Sequence, residues 1–172
     1  MDMSMDEKKG VKEIMFRDEI NFETVKNLIE VIDANENKEL IKIYFTTIGG
    51  CIQSTQILIE YLNRKHDEGL NIEIVATWEV SSGGFIILCK TKCKKSFLDA
   101  WSSVHIGTRD INYRESKVPE SQEKFLLERL EKKNVEIMKL YKDVGLTDNE
   151  LQILLEGKDV ILDQQRLEEI LS

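Results

Sequence analysis

Apolar positions along the chain follow two spacings, one typical of buried strands and one typical of helices. Short apolar runs at 14–16, 40–45 and 71–77 predict buried strands. Between them, over 22–32 and 52–62, apolar residues recur every three or four positions, which predicts helices. Strand, helix and strand in this order predict an α/β domain built on a parallel sheet.

The rest of the chain predicts further elements and their boundaries. In order these are an N-cap at Asn21, a turn at 66–69, a short helix from Phe85, strands at 96–98 and 103–105, a long charged helix over 120–142, a helix capped by Thr147, an edge strand at 159–162 and a last helix capped by Asp163. We expect residues 1–10 to form a flexible tail and residues 11–172 to form a single domain.

Charge and composition narrow the classes of partner. The net charge of −8 argues against attraction to nucleic acid or to anionic lipid, because both require a positive surface. The apolar runs are far shorter than the roughly 20 residues of a membrane-spanning helix, and the N-terminal residues lack the apolar stretch of a secretory signal. We therefore expect a cytoplasmic protein with neither nucleic-acid nor membrane partners.

The cysteines do not form a metal-binding motif. Cys51, Cys89 and Cys93 lack the CxxC spacing, and only His66 and His105 could join them as ligands. We expect no metal and no cofactor. The cysteines are interpreted as small apolar residues in a reducing compartment.

Two glycine pairs follow two of the predicted parallel strands. Gly49 and Gly50 end the second strand, and Gly83 and Gly84 follow the third. Open α/β sheets place their sites at these carboxyl ends, and glycine lets backbone amides approach a ligand closely enough to stabilise an oxyanion. The alternative is that each pair is only a turn that ends its strand.

A serine and a histidine complete this candidate site. Ser82 stands at the junction of strand and helix, where it is either a nucleophile or only an N-cap, and Ser81 is its rival for both roles. His105 has apolar neighbours and is either the base that the serine needs or a buried core histidine. His66 lies in the polar turn and is expected to be exposed.

Three segments together resemble a known family. They are Tyr44-Phe-Thr-Thr-Ile-Gly-Gly50, Val80-Ser-Ser-Gly-Gly-Phe85 and Ser103-Val-His105, in that order. Over residues 12–172 the chain resembles ClpP, the proteolytic subunit of the Clp protease. The resemblance implies an α/β fold of the ClpP/crotonase type, a repeated β-β-α superhelix with a protruding handle helix at 120–142.

The resemblance also implies roles for individual residues. Ser82 falls on the nucleophile and His105 on the general base, while the amides of Gly50 and Gly83 fall on the oxyanion hole. It further implies self-assembly into a heptameric ring or a double ring. Unfolded polypeptide or short peptides would be cleaved inside the resulting chamber.

The chain departs from the family pattern at several positions. Counting without gaps places Lys158 where the family has its triad aspartate, and a lysine cannot orient an imidazolium. In the family this aspartate lies four residues before the residue that caps the last helix. Asp159 therefore becomes the acid if Asp163 is that cap. Ile48 replaces a proline and Gly83 replaces a methionine in the two turns. The short segment before residue 14 argues against a Clp-type ATPase partner, which the resemblance otherwise allows.

Three functions remain open at this stage. The first is a serine endopeptidase that uses Ser82 and His105. The second is a catalytically impaired ClpP-like subunit or scaffold, which Lys158 would explain. The third is an acyl-CoA enzyme, since crotonases share the architecture and hold a thioester oxygen with paired backbone amides.

Overall fold

The computed structural model describes residues 10–107 and 120–171, which form five strands and six helices. The strands are β1 (Val11–Arg17), β2 (Leu40–Thr47), β3 (Ile72–Val80), β4 (Lys94–Val104) and β5 (Val160–Leu162). The helices are α1 (Phe22–Asp33), α2 (Ile52–Asp67), α3 (Gly83–Lys90), α4 (Glu120–Asp143), α5 (Asp148–Leu155) and α6 (Gln164–Leu171). Within the described ranges, no helix is both long and apolar enough to cross a membrane.

The described chain forms two compact units. The first contains the residues up to Ser103 together with those from Ile161 onward, and the second is Val104–Val160. The first unit holds nearly all of the sheet with α1, α2, α3 and α6, and the second holds α4 and α5. The tail predicted at 1–10 lies outside the described residues except for Gly10. The single domain predicted for 11–172 stays a prediction.

The sheet has the strand order β1-β2-β3-β4-β5, and β1 to β4 pair in parallel. In the pair of β1 with β2, every second side chain is directed to the core. Phe16 and Phe45 are register partners on this face, and their rings stack with centroids 5.0 Å apart. A register shift of one residue would expose this face, so the apolar alternation in the sequence determines the pairing. β5 lies at an edge of the sheet, as predicted.

The predicted caps begin the helices where the sequence indicated. The Asn21 side chain accepts a hydrogen bond from the Thr24 amide, and the Thr24 hydroxyl in turn accepts one from the Asn21 amide. Thr147 and Glu150 form the same reciprocal pair at the start of α5. Each pair satisfies amides that have no partner within the helix.

The helix α2 continues past its expected end. It runs to Asp67, so the turn predicted at 66–69 is wrong in its first residues. Basic side chains fill the last turn, where they interact favourably with the helix dipole. Lys65 is buried there, with its ammonium group 3.2 Å from the Asp33 carboxylate. Gly69, with φ +91°, follows the end of the helix.

The two strands predicted at 96–98 and 103–105 are one strand, β4. Its register against β3 shifts near Asp99, whose φ is 52°. Such a bulge interrupts the alternation of side chains, which is why the sequence indicated two strands. β4 ends at Val104, so His105 lies just beyond the strand and not within it.

A buried carboxylate links three strands on one face of the sheet. Glu73 of β3 lies between its register partners, Lys42 of β2 and Lys94 of β4. Its carboxylate is 3.6 Å from the Lys42 ammonium and 3.4 Å from that of Lys94, and the side chain is 7% exposed. Burial raises the pKa of Glu73, but a hydrogen bond with Ser96 and the two ammonium groups together hold the pKa below its ordinary value.

This arrangement predicts how stability depends on pH. A carboxyl with a lowered folded pKa stabilises the fold fully above its unfolded pKa of about 4.3 and loses that contribution as the pH falls through the folded pKa. We expect Glu73→Gln to lower the free energy of unfolding at pH 7 by about 1–3 kcal/mol and to weaken its dependence on pH in the acid range. Urea unfolding at pH 7 and pH 3 measures both effects.

The exposed ion pair of Lys26 and Glu30, whose side chains are each 61% exposed, supplies a matched control. Because exposed pairs contribute about 0–1 kcal/mol, Glu30→Gln should change the free energy of unfolding little at either pH. Equal effects of the two substitutions would contradict the role assigned to Glu73.

Candidate functional site

The ends of β2 and β3 lie side by side at one edge of the sheet. Thr47 pairs with Val80, and the Ser81 amide donates a 2.9 Å hydrogen bond to the Thr47 carbonyl. Beyond this pair the chain enters the two glycine turns, at 49–50 and 83–84. The parallel register therefore brings together the two turns in which the sequence predicted an oxyanion hole.

Gly49 lies directly against Ser82. A Cβ atom at Gly49 would be 2.5 Å from the Ser82 Cβ and 3.1 Å from the Gly83 nitrogen. The φ of Gly49, +106°, also lies in the region that favours glycine. The Thr47 hydroxyl accepts a 3.0 Å hydrogen bond from the Gly49 amide and helps to hold this turn.

Gly50 is held from the other side by the loop before α1. Ile20 donates its amide to the Gly49 carbonyl at 2.8 Å, and the Cys51 amide donates to the Ile20 carbonyl at 2.7 Å. A Cβ atom at Gly50 would be 2.2 Å from the Ile20 oxygen, so only glycine fits. Among the described residues, no hydrogen bond uses the Gly50 amide, which leaves it available as a donor.

Ser82 adopts a strained conformation at the turn from β3 into α3. Its φ is 52° and its ψ is −119°, a region that non-glycine residues rarely occupy. The Ser82 amide donates a 3.1 Å hydrogen bond to the Ser103 carbonyl, which helps to hold this backbone. The Ser82 hydroxyl makes no cap hydrogen bond to α3, so the interpretation of Ser82 as only an N-cap finds no support. A strained serine on a strand-to-helix turn is the geometry of a nucleophile elbow.

The neighbouring serine has a structural role. Ser81 is 2% exposed, donates its hydroxyl to the Glu79 carboxylate at 2.8 Å and accepts a 2.9 Å hydrogen bond from the Ser103 amide. These bonds tie the end of β3 to β4. Ser82 is half-buried instead, so it is the better placed of the two serines to meet a substrate.

Gly83 begins α3, and its amide therefore has no partner within the helix. Among the described residues, the Gly83 amide donates no hydrogen bond outside the helix either. A Cβ atom at Gly83 would be 2.6 Å from the Thr55 hydroxyl oxygen and 3.4 Å from the Ile20 Cδ1. This close approach explains why glycine stands at this position.

The second unit brings the predicted base and acid together. The Nδ1 atom of His105 is 3.8 Å from an Asp159 carboxylate oxygen, a separation within ion-pair range but longer than a hydrogen bond. The His105 side chain is 37% exposed and that of Asp159 is 56% exposed. Both side chains are therefore reached by solvent.

The alternative acid position belongs to a different interaction. The Lys158 ammonium is 2.8 Å from the Glu156 carboxylate, and its side chain is 69% exposed. Asp163 accepts a 2.9 Å hydrogen bond from the Arg166 amide and so caps α6, the condition under which Asp159 was expected to be the acid. Of the two neighbours, Asp159 has the contact with His105.

The candidate residues thus form one group in each unit. In the first unit Gly49, the neighbour of Gly50, lies against Ser82 and Gly83, and in the second unit His105 lies 3.8 Å from Asp159. The pairing of the Ser82 hydroxyl with the His105 imidazole stays a prediction. His66 is exposed and lies apart from these groups in sequence, as expected.

The cysteines differ in their environments. Burial raises the pKa of the Cys89 thiol to about 12 and that of Cys93 to about 11, which suits structural residues. A hydrogen bond from the Ser54 amide lowers the pKa of the exposed Cys51 thiol, which lies next to Gly50 in the chain. Within the described part of the chain, no group of three or more histidine, cysteine or acidic side chains could hold a metal ion.

Comparisons with known proteins bear on the fold. No family model matches the chain, and no curated protein sequence matches it. Solved structures do match, among them a mutant of ClpP1 from Listeria monocytogenes, with a TM-score of 0.64 and 14% sequence identity over 93% of this chain and 87% of that chain. At this identity the likeness concerns the fold alone. The chain has a ClpP-like α/β fold, and the predicted fold class is confirmed.

The contact between Gly49 and Ser82 predicts a position-dependent cost of an added methyl group. We expect Gly49→Ala to lower the free energy of unfolding by about 1–3 kcal/mol more than Gly69→Ala. Both glycines have positive φ, but a Cβ atom at Gly69 would meet nothing within 4 Å. Urea unfolding of the two variants separates backbone strain from the contact with Ser82. Equal losses would show that the contact is readily relieved.

Proposed function

We propose that the protein is a serine peptidase of the ClpP type in which Ser82 is the nucleophile. The observation that carries the proposal is the strained Ser82, with φ 52°, at a strand-to-helix turn that leaves its hydroxyl unused as a cap. Strain at such a turn is expected where a side chain must be presented to a reaction. The amides of Gly50 and Gly83, which make no hydrogen bond among the described residues, are suited to hold an oxyanion.

In the proposed reaction, the Ser82 oxygen bonds to the substrate carbonyl carbon while His105 accepts the hydroxyl proton. The carbonyl oxygen becomes an oxyanion and accepts hydrogen bonds from the Gly50 and Gly83 amides. His105 then gives its proton to the amine as the carbon–nitrogen bond breaks, which leaves an acyl group on Ser82. Water attacks this ester, gives a proton to His105 and releases the acid as the proton returns to Ser82.

The chain path supports the assignment of His105 as the base. The Ser103 carbonyl accepts the hydrogen bond of the Ser82 amide, and His105 follows Ser103 by two residues. Two residues of extended chain span at most about 7 Å, so a histidine at this position suits a role beside Ser82. The Asp159 carboxylate, 3.8 Å from the imidazole, is suited to stabilise the imidazolium that forms.

The proposed substrates are unfolded polypeptides or short peptides, cleaved inside a ring or double ring of this chain. The likeness to a ClpP1 structure supports this part of the proposal through the fold. On α4, the handle helix of the predicted fold, Phe125 is 57% and Val135 is 71% exposed, and apolar side chains of this kind favour contact with another subunit. The free cysteines are consistent with a cytoplasmic location.

A catalytically silent ClpP-like subunit is the second candidate. The observation that favours it is the His105–Asp159 separation of 3.8 Å between two solvent-reached side chains. A triad acid is usually buried and hydrogen-bonded to its histidine. Labelling with a serine-directed reagent distinguishes the two candidates, because a silent subunit would not react.

The first prediction of this proposal concerns the nucleophile. A fluorophosphonate reacts when the serine oxygen displaces fluoride from phosphorus, so we expect labelling of the wild type and only background labelling of Ser82→Ala. Iodoacetamide blocks the Cys51 thiol beforehand, and mass spectrometry of the labelled peptide identifies the modified residue.

Ser81→Ala is the matched control for this experiment. It removes two hydrogen bonds and should lower the free energy of unfolding by about 1–3 kcal/mol, yet the folded protein should still be labelled on Ser82. An unlabelled wild type, tested in its assembled form, would favour the silent subunit. Labelling on Ser81 would overturn the assignment of the nucleophile.

The second prediction concerns the acid. We expect Asp159→Asn to lower the rate of peptide hydrolysis by about 10²–10⁴-fold, because the amide cannot stabilise an imidazolium. Lys158→Gln should change the rate by less than about 2-fold, since an exposed ion pair such as that of Lys158 with Glu156 contributes little. Hydrolysis of a fluorogenic peptide measures both rates. A larger loss of rate in Lys158→Gln than in Asp159→Asn would contradict the assignment of Asp159 as the acid.

A further inference from the structure

An asparagine side chain of α4 binds the segment that carries His105. The Asn134 amide group donates a 2.9 Å hydrogen bond to the Gly107 carbonyl and accepts a 2.9 Å hydrogen bond from the Gly107 amide. The Asn134 side chain thus binds both the amide and the carbonyl group of Gly107. Two opposed hydrogen bonds fix the position and the orientation of Gly107, as a backbone bridge would.

Gly107 permits this close approach because it has no side chain. A Cβ atom there would be 3.0 Å from the Leu130 Cδ1 and 3.1 Å from the Asn134 Oδ1. These separations are tighter than ordinary van der Waals contacts. The glycine therefore lets the backbone lie against the helix where Asn134 can reach both of its polar groups.

A second side chain of α4 holds the other end of the same segment. The Tyr141 hydroxyl donates a 3.1 Å hydrogen bond to the His105 carbonyl, and Tyr141 is 0% exposed. Asn134 and Tyr141 are seven positions apart, close to two helical turns, so both lie on one face of α4. One helix face thus binds the backbone at both ends of the segment 105–107.

We propose that Asn134 and Tyr141 are positioning residues that hold the His105 imidazole in place. His105 lies beyond the end of β4, so the pairing of the sheet does not extend to it. Its contact with Asp159, at 3.8 Å between two partly exposed side chains, stabilises one orientation only weakly. The three hydrogen bonds from α4 supply the constraint that the strand and this ion pair do not.

The catalytic consequence of this inference rests on the proposed function. Proton transfer from a serine requires the imidazole at hydrogen-bond distance, and a displacement of about 1 Å can cost about 10²-fold in rate. The placement of His105 itself does not depend on any activity. It can therefore be tested separately.

The test uses NMR of the full chain with ¹³C-labelled histidine, in which His66 and His105 are the only two histidines. Asn134→Ala should shift and broaden the His105 imidazole signal and leave that of His66 unchanged. Asn134→Asp keeps the acceptor for the Gly107 amide but loses the donor, and Tyr141→Phe loses one hydroxyl. Both should give intermediate changes, and they keep the test decisive if the alanine variant does not fold.

Asn63 provides a matched control. Its side chain donates a 3.0 Å hydrogen bond to the Lys90 carbonyl and accepts a 2.7 Å hydrogen bond from the Lys92 amide, which is the same kind of two-sided contact on another loop. Asn63→Ala should leave the His105 signal unchanged, although His66 lies on the same helix and its signal can move. A His105 signal that is unchanged in the Asn134 and Tyr141 variants would overturn the inference.

Inactivation kinetics with a fluorophosphonate add the catalytic readout. In Asn134→Ala we expect the maximal rate of inactivation to fall about 10–100-fold, with the concentration for half-maximal rate unchanged, because the reagent does not bind through His105. Asn63→Ala should match the wild type in both constants. An unreactive wild type would overturn the proposed function and leave the NMR result to decide the positioning. A normal rate in Asn134→Ala with a reactive wild type would overturn the positioning role.

Discussion

The parallel pairing of β2 with β3 is the constraint on which the candidate site depends. Between its last two pairs with β3, β2 advances from Phe45 to Thr47 while β3 advances from Ala76 to Val80, so β3 carries a bulge. The bulge contains Trp78, whose φ is 55°. Without it, the two strands would end out of step, and the turn after β3 would not meet the turn after β2. The pairing thus determines that Ser82 lies against Gly49 in the turn after β2.

The glycines of the two turns are required by different neighbours. Gly49 leaves room for the Ser82 side chain, Gly50 for the Ile20 carbonyl, and Gly84 for the Thr47 Cγ2, which would be 2.5 Å from a Cβ atom. Strain of the kind found at Ser82 costs about 1–3 kcal/mol. Two backbone hydrogen bonds, from the Ser82 amide to Ser103 and from the Ser81 amide to Thr47, each contribute about 0.5–1.5 kcal/mol and offset strain of that size. The conformation of the serine is therefore maintained by the ends of the strands around it.

Much of this structure could be predicted from the sequence because it follows from local rules. Apolar periodicity predicted the elements of the sheet and its helices, and the caps at Asn21, Thr147 and Asp163 were predicted from residue type and spacing. The bulge near Asp99 could not be predicted, because it depends on how β4 meets β3. For the same reason the strain at Ser82 and the contact with Gly49 were not visible in the sequence, where a nucleophile and an N-cap look alike. The hydrogen bonds between Asn134 and Gly107 join residues far apart in the chain, so no local sequence pattern indicates them.

The choice between Lys158 and Asp159 shows how a local feature can favour one of two positions that a count along the chain leaves open. A count without gaps chose Lys158, and the cap at Asp163 chose Asp159, one residue later. As a chain becomes extended, successive side chains point to opposite sides, so only one of two neighbours can face a given partner. Here Asp159 lies 3.8 Å from the His105 ring, and Lys158 lies 2.8 Å from Glu156. A helix cap is fixed by hydrogen bonds that the chain must make, whereas spacing in the preceding loop is free to vary. Counting from the cap is therefore the physically better-founded choice.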